Sequence, residues 1–397
     1  MNKSIYIFIL FLFTYFQTFA QHNLSNRASI SVITCGPGEE LYSAFGHSAF
    51  RVYDPLLGLD KIYNYGTFDF DAPNFYMNFA KGKLTYQLST TSFDRFLYAY
   101  KYENRWVKAQ VLNLTNVDVQ AVFNYLERNA LPQNRSYQYD FFYNNCATKI
   151  EDVIKTVLKN RVSFTNDHIK TTKSHRELIA DYTDQHFKWG KFGIDLALGS
   201  VIDDEATKDD YKFLPDYIFE AFNNATITKG IHNEALVKNE GFILKTPKQV
   251  LDFSFLQPII VFSIILLLIF FITYKNYKKN KRTKWLDFSL YFITGIIGVT
   301  VLLLWFASSH TATYKNFNFL WAFAPNLVIS FYMFKNKLPS FITNYNKFLL
   351  ILILVLLIIW VLKIQVFNIA LIPILLALAV RYVFLISKIK RLSTPKK

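Results

Sequence analysis

Five long apolar stretches crowd the C-terminal part of the chain: "FLQPIIVFSIILLLIFFITY", "FSLYFITGIIGVTVLLLWFA", "FNFLWAFAPNLVISFYMF", "KFLLILILVLLIIWVL" and "VFNIALIPILLALAVRYVFLI". Each is near the roughly 20 residues that an α-helix needs to cross the hydrocarbon core of a bilayer. They predict an all-α five-helix transmembrane domain over residues 254–397. The third stretch is the least regular, because Pro325 and Asn326 interrupt it.

The charge distribution orients these spans. The formal net charge is +15 at pH 7, which by itself could suggest nucleic acid. The excess, however, sits beside the spans. "KNYKKNKRTK" between the first and second carries Lys275, Lys278, Lys279, Lys281, Arg282 and Lys284, and the tail "SKIKRLSTPKK" adds Lys388, Lys390, Arg391, Lys396 and Lys397. Neither segment holds an acid, and both fall where cytoplasmic loops should fall. The loop "SSHTATYKNFN" has one lysine and belongs outside. The basic excess is therefore a topology signal, and no nucleic acid partner is expected. Arg381 lies near the inner end of the last span, where it could snorkel.

The first twenty residues have a short cationic start, an apolar run and a small residue before Gln21. They predict a secretory signal peptide cleaved after Ala20, with a retained anchor as the alternative. Leader and charge pattern together place residues 21–253 outside the membrane and the C-terminus inside.

Residues 21–253 mix acids, bases, Asn and Tyr and are enough for one globular domain. "ASISVITC" and "HSAFRVYD" alternate and are β-branched, so they read as strands; Phe50 and Val52 fall on one side of the second, His47, Ala49 and Arg51 on the other. "KIYNYGTFDF", "KLTYQLSTT" and "RWVKAQVLNL" are further strands. "NVDVQAVFNYLERNAL" predicts a helix stopped before Pro132. From Cys146 the period becomes helical, with Ile150, Val153, Ile154, Val157 and Leu158 on one stripe and Asn144 and Asn145 at the cap. "FLPDYIFEAF" predicts a short helix with proline in its first turn. "EGFILKTPKQVLDFS" reads as a short link to the first span.

A cysteine in the first turn of a helix lies by the positive end of the peptide dipoles, which favours thiolate. A histidine in reach would act as base and then as acid. This makes Cys146 and His47 a candidate pair. Asn64 is the candidate third member, holding the ring in its useful tautomer, with Tyr65 and Asp69 as substitutes. Backbone N–H groups at the start of the cysteine helix are the oxyanion donors. Two bland readings stand beside this one. Cys35 and Cys146 are the only cysteines and could form a disulfide in an oxidising compartment. His47 alone could be a strand histidine bonded to backbone. The seven scattered histidines show no metal-ligand spacing, and no cofactor is expected.

Histidine first and cysteine later, on β and then α segments, resembles the circularly permuted papain-like group that includes the lecithin:retinol acyltransferase relatives. More closely, "CGPGEELYSAFGHSAFRVYD", "IYNYGTFDFDAPNFY", "FAKGKLTYQL", "YDFFYNNCATKIEDVI" and "FLPDYIFEAF" resemble the Lnb-type lipoprotein N-acyltransferases known from Bacteroidota, whose members also carry five C-terminal membrane helices. The resemblance implies an α+β permuted papain-like (NlpC/P60-like) periplasmic domain followed by the five-helix transmembrane domain in a bacterial inner (cytoplasmic) membrane, with the C-terminus in the cytoplasm. It also implies acyl transfer from a membrane phospholipid to the α-amino group of a diacylglyceryl-cysteine lipoprotein, with Cys146 as acyl carrier and His47 as base. The polar patch "SSHTATYKNFNFLWAFAP" resembles one in the family. His310, Asn316, Asn318 and Trp321 would then hold head group or acceptor at the outer interface, or serve only as interfacial anchors. A cell-wall peptidase or amidase with the same dyad, and a non-enzymatic membrane sensor, are the competing functions. Lys81, Lys83 and Arg51 could meet lipid phosphates at the surface or be ordinary solvated side chains.

Overall fold

The computed structural model describes residues 23–68, 71–247 and 254–393. The expected leader, Asp69 and the last four residues lie outside them.

The alternating segments form an antiparallel sheet. β1 (Ser29–Cys35), β2 (His47–Asp54) and β3 (Leu59–Thr67) are followed by the short helix α1 (Phe75–Ala80), β4 (Thr85–Ser92), α2 (Phe93–Tyr102), β5 (Val107–Leu112), α3 (Asn116–Ala130) and β6 (Ser136–Gln138). Then come α4 (Cys146–Leu158), β7 (Val162–Ser163), α5 (His175–Thr183), α6 (Lys188–Ala197), α7 (Pro215–Asn223), β8 (Thr226–Lys229), β9 (His232–Ala235) and β10 (Val237–Leu244). The main sheet has the order β10-β5-β1-β2-β3-β4-β6, and β7-β8-β9 form a small second one. β10 departs from the sequence expectation. Most of "EGFILKTP" is an edge strand on β5, with two register shifts, and not a link. Its mostly exposed side chains hide the period-2 signal.

Helices cover both faces of the sheet. Ile30, Val32, Phe50 and Val52 pack against Val122 and Leu126 of α3, Ile150 and Ile154 of α4, and Phe222 of α7. Ile33, Cys35, Ala49 and Ile62 pack on the other side against Phe93, Phe96 and Tyr100 of α2. Each fully buried aliphatic side chain contributes about 1.5–3 kcal/mol, and the period of 2 allots them to the two cores.

The C-terminal half is helical. α8 (Pro258–Lys278), α9 (Lys284–Phe306), α11 (Phe341–Val361) and α12 (Leu371–Ser393) include the four helices among the described residues that are long and apolar enough to cross a membrane. The expected third helix is discontinuous. A 3₁₀ turn, Phe317–Leu320, leads through Trp321–Pro325 into the seven-residue α10 (Asn326–Tyr332). This segment nevertheless runs the length of α9. Phe319 lies against Trp305 near one end of α9, with ring centroids 5.9 Å apart. At the other end Arg282 donates to the carbonyls of Met333 and Lys335 (2.9 and 2.6 Å).

Irregular backbone at membrane depth survives only where protein satisfies it. Here Asn326, fully buried, donates to Thr294 Oγ1 (2.9 Å) and accepts from Tyr345. Gly295 and Gly298 let the two backbones touch: a Cβ on either would fall 2.2 Å from Leu327 N or 1.9 Å from Ala322 O.

Arg381 differs from expectation as well. It does not snorkel but is fully buried, donating to Asp287 Oδ1 (2.6 Å), Thr273 and Asn276 (both 3.1 Å). Arg282 bonds the other carboxylate oxygen of Asp287 (2.9 Å). Asp287 is close enough in space to partner both cations, although Arg381 is far from it in sequence, and pairing removes the drive to reach water.

Candidate active site

The loop before Cys146 is built to hold that residue still. Asp140 Oδ1 accepts from the N–H groups of Phe142 and Tyr143 (2.9 and 3.0 Å). Asn145 caps α4: its Oδ1 accepts from Ala147 N and Thr148 N (2.8 and 3.0 Å), while Thr148 Oγ1 accepts from Asn145 N (2.9 Å). The Asn145 amide also donates to the carbonyls of Phe141 and Phe213, both at 2.7 Å. This capping box satisfies the second and third helical N–H groups. The N–H of Cys146, first in the helix, lies outside the box beside its own sulfur.

His47 opens β2, in register with Cys35 at the end of β1. Its Nε2 bonds Asn64 Oδ1 on β3. That oxygen can only accept, so Nε2 carries the proton and Nδ1 keeps a lone pair. The N–H of Ser48, the next residue, donates to the sulfur of Cys146, which brings the start of β2 to that cysteine. β3 reaches both partners through three consecutive residues. Asn64 holds the imidazole, a register shift follows between Asn64 and Thr67, and Gly66 abuts Cys146. Gly66 has φ +88°, and a Cβ there would lie 3.2 Å from Cys146 Cβ. Tyr65, a substitute for Asn64 on sequence grounds, points into the α3 side, where its hydroxyl accepts from Asn129 (3.0 Å).

Both cysteines are free thiols. Cys35 belongs to the core under α2, and burial pushes its pKa up to about 12. It is neither a disulfide partner nor a rival nucleophile. Burial also raises the Cys146 thiol; the N–H groups of Ser48, Ala147 and Cys146 and the nearby Arg105 guanidinium pull it part of the way back. Burial lowers His47 to about 4, the Asn64 bond opposes this, and Arg105 adds to it. The resting pair is therefore neutral thiol and neutral imidazole, and not the thiolate that the helix terminus alone suggests: desolvation outweighs the dipole.

Arg105 and the aromatic surroundings were not legible as site residues. Arg105 is buried, bonded to Gly36 O (2.8 Å) and Glu103 (2.8 Å), and lies over the Tyr100 ring. Tyr86 and Tyr139 stack at 3.9 Å, within electrostatic range of Cys146. Arg51 is structural, pairing with Asp60 (2.7 Å) over the Phe93 ring. Among the described residues no cluster of potential ligands fits a metal ion.

Three of the four residues expected at the outer interface bond the N-terminal half directly, and the fourth bonds one of those three. His310 Nε2 bonds Phe79 O (2.8 Å). Asn316 donates to the carbonyls of Leu196 and Ala197 (2.8 and 3.0 Å), and Asn318 to that of Asp195 (3.0 Å), at the end of α6. Trp321 Nε1 donates to Asn318 Oδ1 (2.8 Å). Asn316, Asn318 and Trp321 are buried. Their polar groups are occupied by the α6 backbone and by one another, which braces the two halves together. A second brace is a hydrogen bond to a carboxylate: Asp195, paired with Arg176 (2.8 Å) and Lys191 (2.6 Å) in its own half, accepts from the Asn368 amide (2.9 Å). The loop before the nucleophile is tied down too, because Thr311 donates to Asp140 Oδ2 (3.0 Å).

No curated protein and no solved structure matches the chain. Two family models do, together over more than half of its length. Residues 15–180 match the Lnb N-terminal periplasmic domain and residues 250–392 the Lnb transmembrane domain. A mixed α/β periplasmic domain braced onto membrane-spanning helices, in that order and with both models matched, places the chain in the Lnb family.

Proposed function

We propose that this membrane protein is a lipoprotein N-acyltransferase. The donor is a membrane phospholipid, the carrier a Cys146 thioester, and the acceptor the α-amino group of a diacylglyceryl-cysteine lipoprotein. The observation that supports it most is the convergence of Cys146, His47 and Asn64 in a half of the molecule bonded directly to the segments that join its membrane helices. Both substrates are anchored by acyl chains, and withdrawing each methylene into water costs about 0.8 kcal/mol. A nucleophile held at the bilayer surface avoids that extraction.

The neutral resting pair fits general-base catalysis. Nδ1 of His47 takes the thiol proton as Sγ attacks the ester carbonyl. The tetrahedral intermediate collapses, the C–O bond breaks, and His47 returns the proton to the departing lysophospholipid oxygen. The acceptor amine then attacks the thioester carbonyl, the C–S bond breaks, and His47 passes the amine's proton to the sulfur. The Cys146 N–H at the open end of α4 stands where an oxyanion would form. No cofactor enters this scheme. The positive-inside pattern supports an inner-membrane setting with the C-terminus in the cytoplasm.

Intact-mass measurement of the purified protein with phospholipid tests this. The wild type gains one acyl mass, released by hydroxylamine. Cys146→Ala and His47→Ala gain none, and Cys35→Ser behaves as wild type. A Cys35→Ser variant as inert as Cys146→Ala, or a wild type that never acquires the mass, would overturn the proposal. Shortened muropeptides accompanying normal lipoproteins would favour the peptidase instead.

A further inference from the structure

α1 is a six-residue helix that shows its apolar side chains to the outside. Tyr76, Met77 and Phe79 are 76, 55 and 55 % exposed, and Lys81 and Lys83 beside them are exposed as well. In a sheet domain surrounded by water this arrangement has no purpose. The position of the helix supplies one. Ser309 N donates to Lys81 O (2.8 Å) and His310 Nε2 bonds Phe79 O (2.8 Å), so α1 is fastened to the loop just past the outer end of α9. That end carries interfacial aromatic residues: Trp305 stacks on Phe306 at 4.8 Å, and Phe306 and Tyr314 are largely exposed. Tyr and Trp mark the headgroup level of a bilayer. α1 thus stands at that level, with apolar side chains bare and cations at its end, the pattern of an element that lies in a membrane surface.

The inner side of α1 leads to the nucleophile. Phe75 packs on Phe68 (5.9 Å), Phe68 on Tyr86 (5.1 Å), and Tyr86 lies within electrostatic range of Cys146. An aromatic path therefore runs from the exposed helix toward the sulfur.

We infer that residues 72–83 are a lipid-penetrating element: Tyr76, Met77 and Phe79 sit among the acyl chains of the outer leaflet, Lys81 and Lys83 meet lipid phosphates, and the aromatic path behind them guides a phospholipid to Cys146. The guiding role rests on the acyl-transfer proposal; the penetration does not.

The two parts are tested separately. For penetration, the full-length Met77→Cys/Cys146→Ser protein in phosphatidylcholine–phosphatidylglycerol nanodiscs carries an environment-sensitive fluorophore at residue 77. Ile231, on the turn between β8 and β9 and 92 % exposed, carries it in a control. The expected result is quenching of the residue 77 probe by a doxyl-labelled lipid and shielding from iodide, with the reverse at residue 231. A probe at residue 77 as open to iodide as the control overturns the inference. For guidance, Tyr76→Asp/Met77→Asp, with Cys146 intact, should lose about tenfold or more of the acylation rate from vesicle phospholipid, as expected for removing apolar surface from the bilayer. Its acylation by a water-soluble short-chain thioester should stay near the wild-type rate. Equal loss with both donors would show a structural role and overturn guidance. A wild type acylated by neither donor defeats the acyl-transfer proposal and the guiding role with it, while the quenching result still decides penetration.

Discussion

Gly66 and Cys146 are in contact across the end of the sheet, so closely that a Cβ on the glycine would lie 3.2 Å from that of the cysteine. With φ at +88°, any L side chain at residue 66 is strained. Gly66→Ala is expected to lose about 1–2 kcal/mol of stability, read as a lower midpoint in thermal unfolding. It should also slow acylation of Cys146 by more than it slows alkylation of a denatured control, because the added methyl displaces the nucleophile from the imidazole.

The burial of His47, opposed by its bond to Asn64, sets a pH dependence with a definite sign. The folded imidazole has a pKa lowered from 6.5 to about 4. Between these values the unfolded chain binds the extra proton and the folded chain does not. Stability from this group is thus fully present above pH 6.5 and lost as the pH falls toward about 4. The base stays neutral over the same window, so the acid limb of the acylation rate should fall near pH 4 and not near 6.5.

Removing the orienting amide gives a different signature. Asn64→Ala should slow acylation by about 10- to 100-fold. It should also move the acid limb lower, since the bond to Asn64 raises the imidazole's pKa against burial. A pH-rate profile that drops in height without moving would show that Asn64 acts only on the fold.

Asn318 separates bracing from substrate binding. Its amide bonds the Asp195 and Leu196 carbonyls (3.0 and 3.3 Å), and its oxygen receives Trp321. Asn318→Ala should cost about 1–3 kcal/mol by leaving buried groups unpaired. Hydrogen exchange in α6 should rise while KM for phospholipid holds. A raised KM with unchanged exchange would restore the substrate role.

In the membrane half, Arg381→Leu leaves Asp287 short of one of its two cations. Breaking a fully buried pair costs about 3–5 kcal/mol, measurable as early thermal unfolding in detergent. Replacing both Asp287 and Arg381 by apolar residues of similar size should recover part of the loss.

Local periodicity made much of the fold legible. The strands at Ser29–Cys35 and His47–Asp54, the helix starting at Cys146 and its Asn145 cap are all stated by residues near one another in the chain. What stayed hidden depends on distant partners. The 237–244 strand has no buried face of its own and exists because β5 offers an open edge. The discontinuous crossing looks like a helix by composition, but buried Asn326 and the two glycines of α9 decide its path. The candidate triad could be listed by residue type, yet the neutral state of its thiol could not. That state follows from how much protein closes over the sulfur, and the spacing of residues does not record it.

The broken crossing has a consequence for biogenesis. Residues 317–336 carry Asn316 at their threshold, Asn318, Pro325 and Asn326 within, and only seven residues of α-helix. Such a stretch partitions poorly into lipid alone. It must be drawn in as a passenger, shielded by α9 made before it and by α11 made after it. Damage along that seam would therefore surface at the translocon, as chains with the wrong number of crossings, before any enzyme chemistry could be measured.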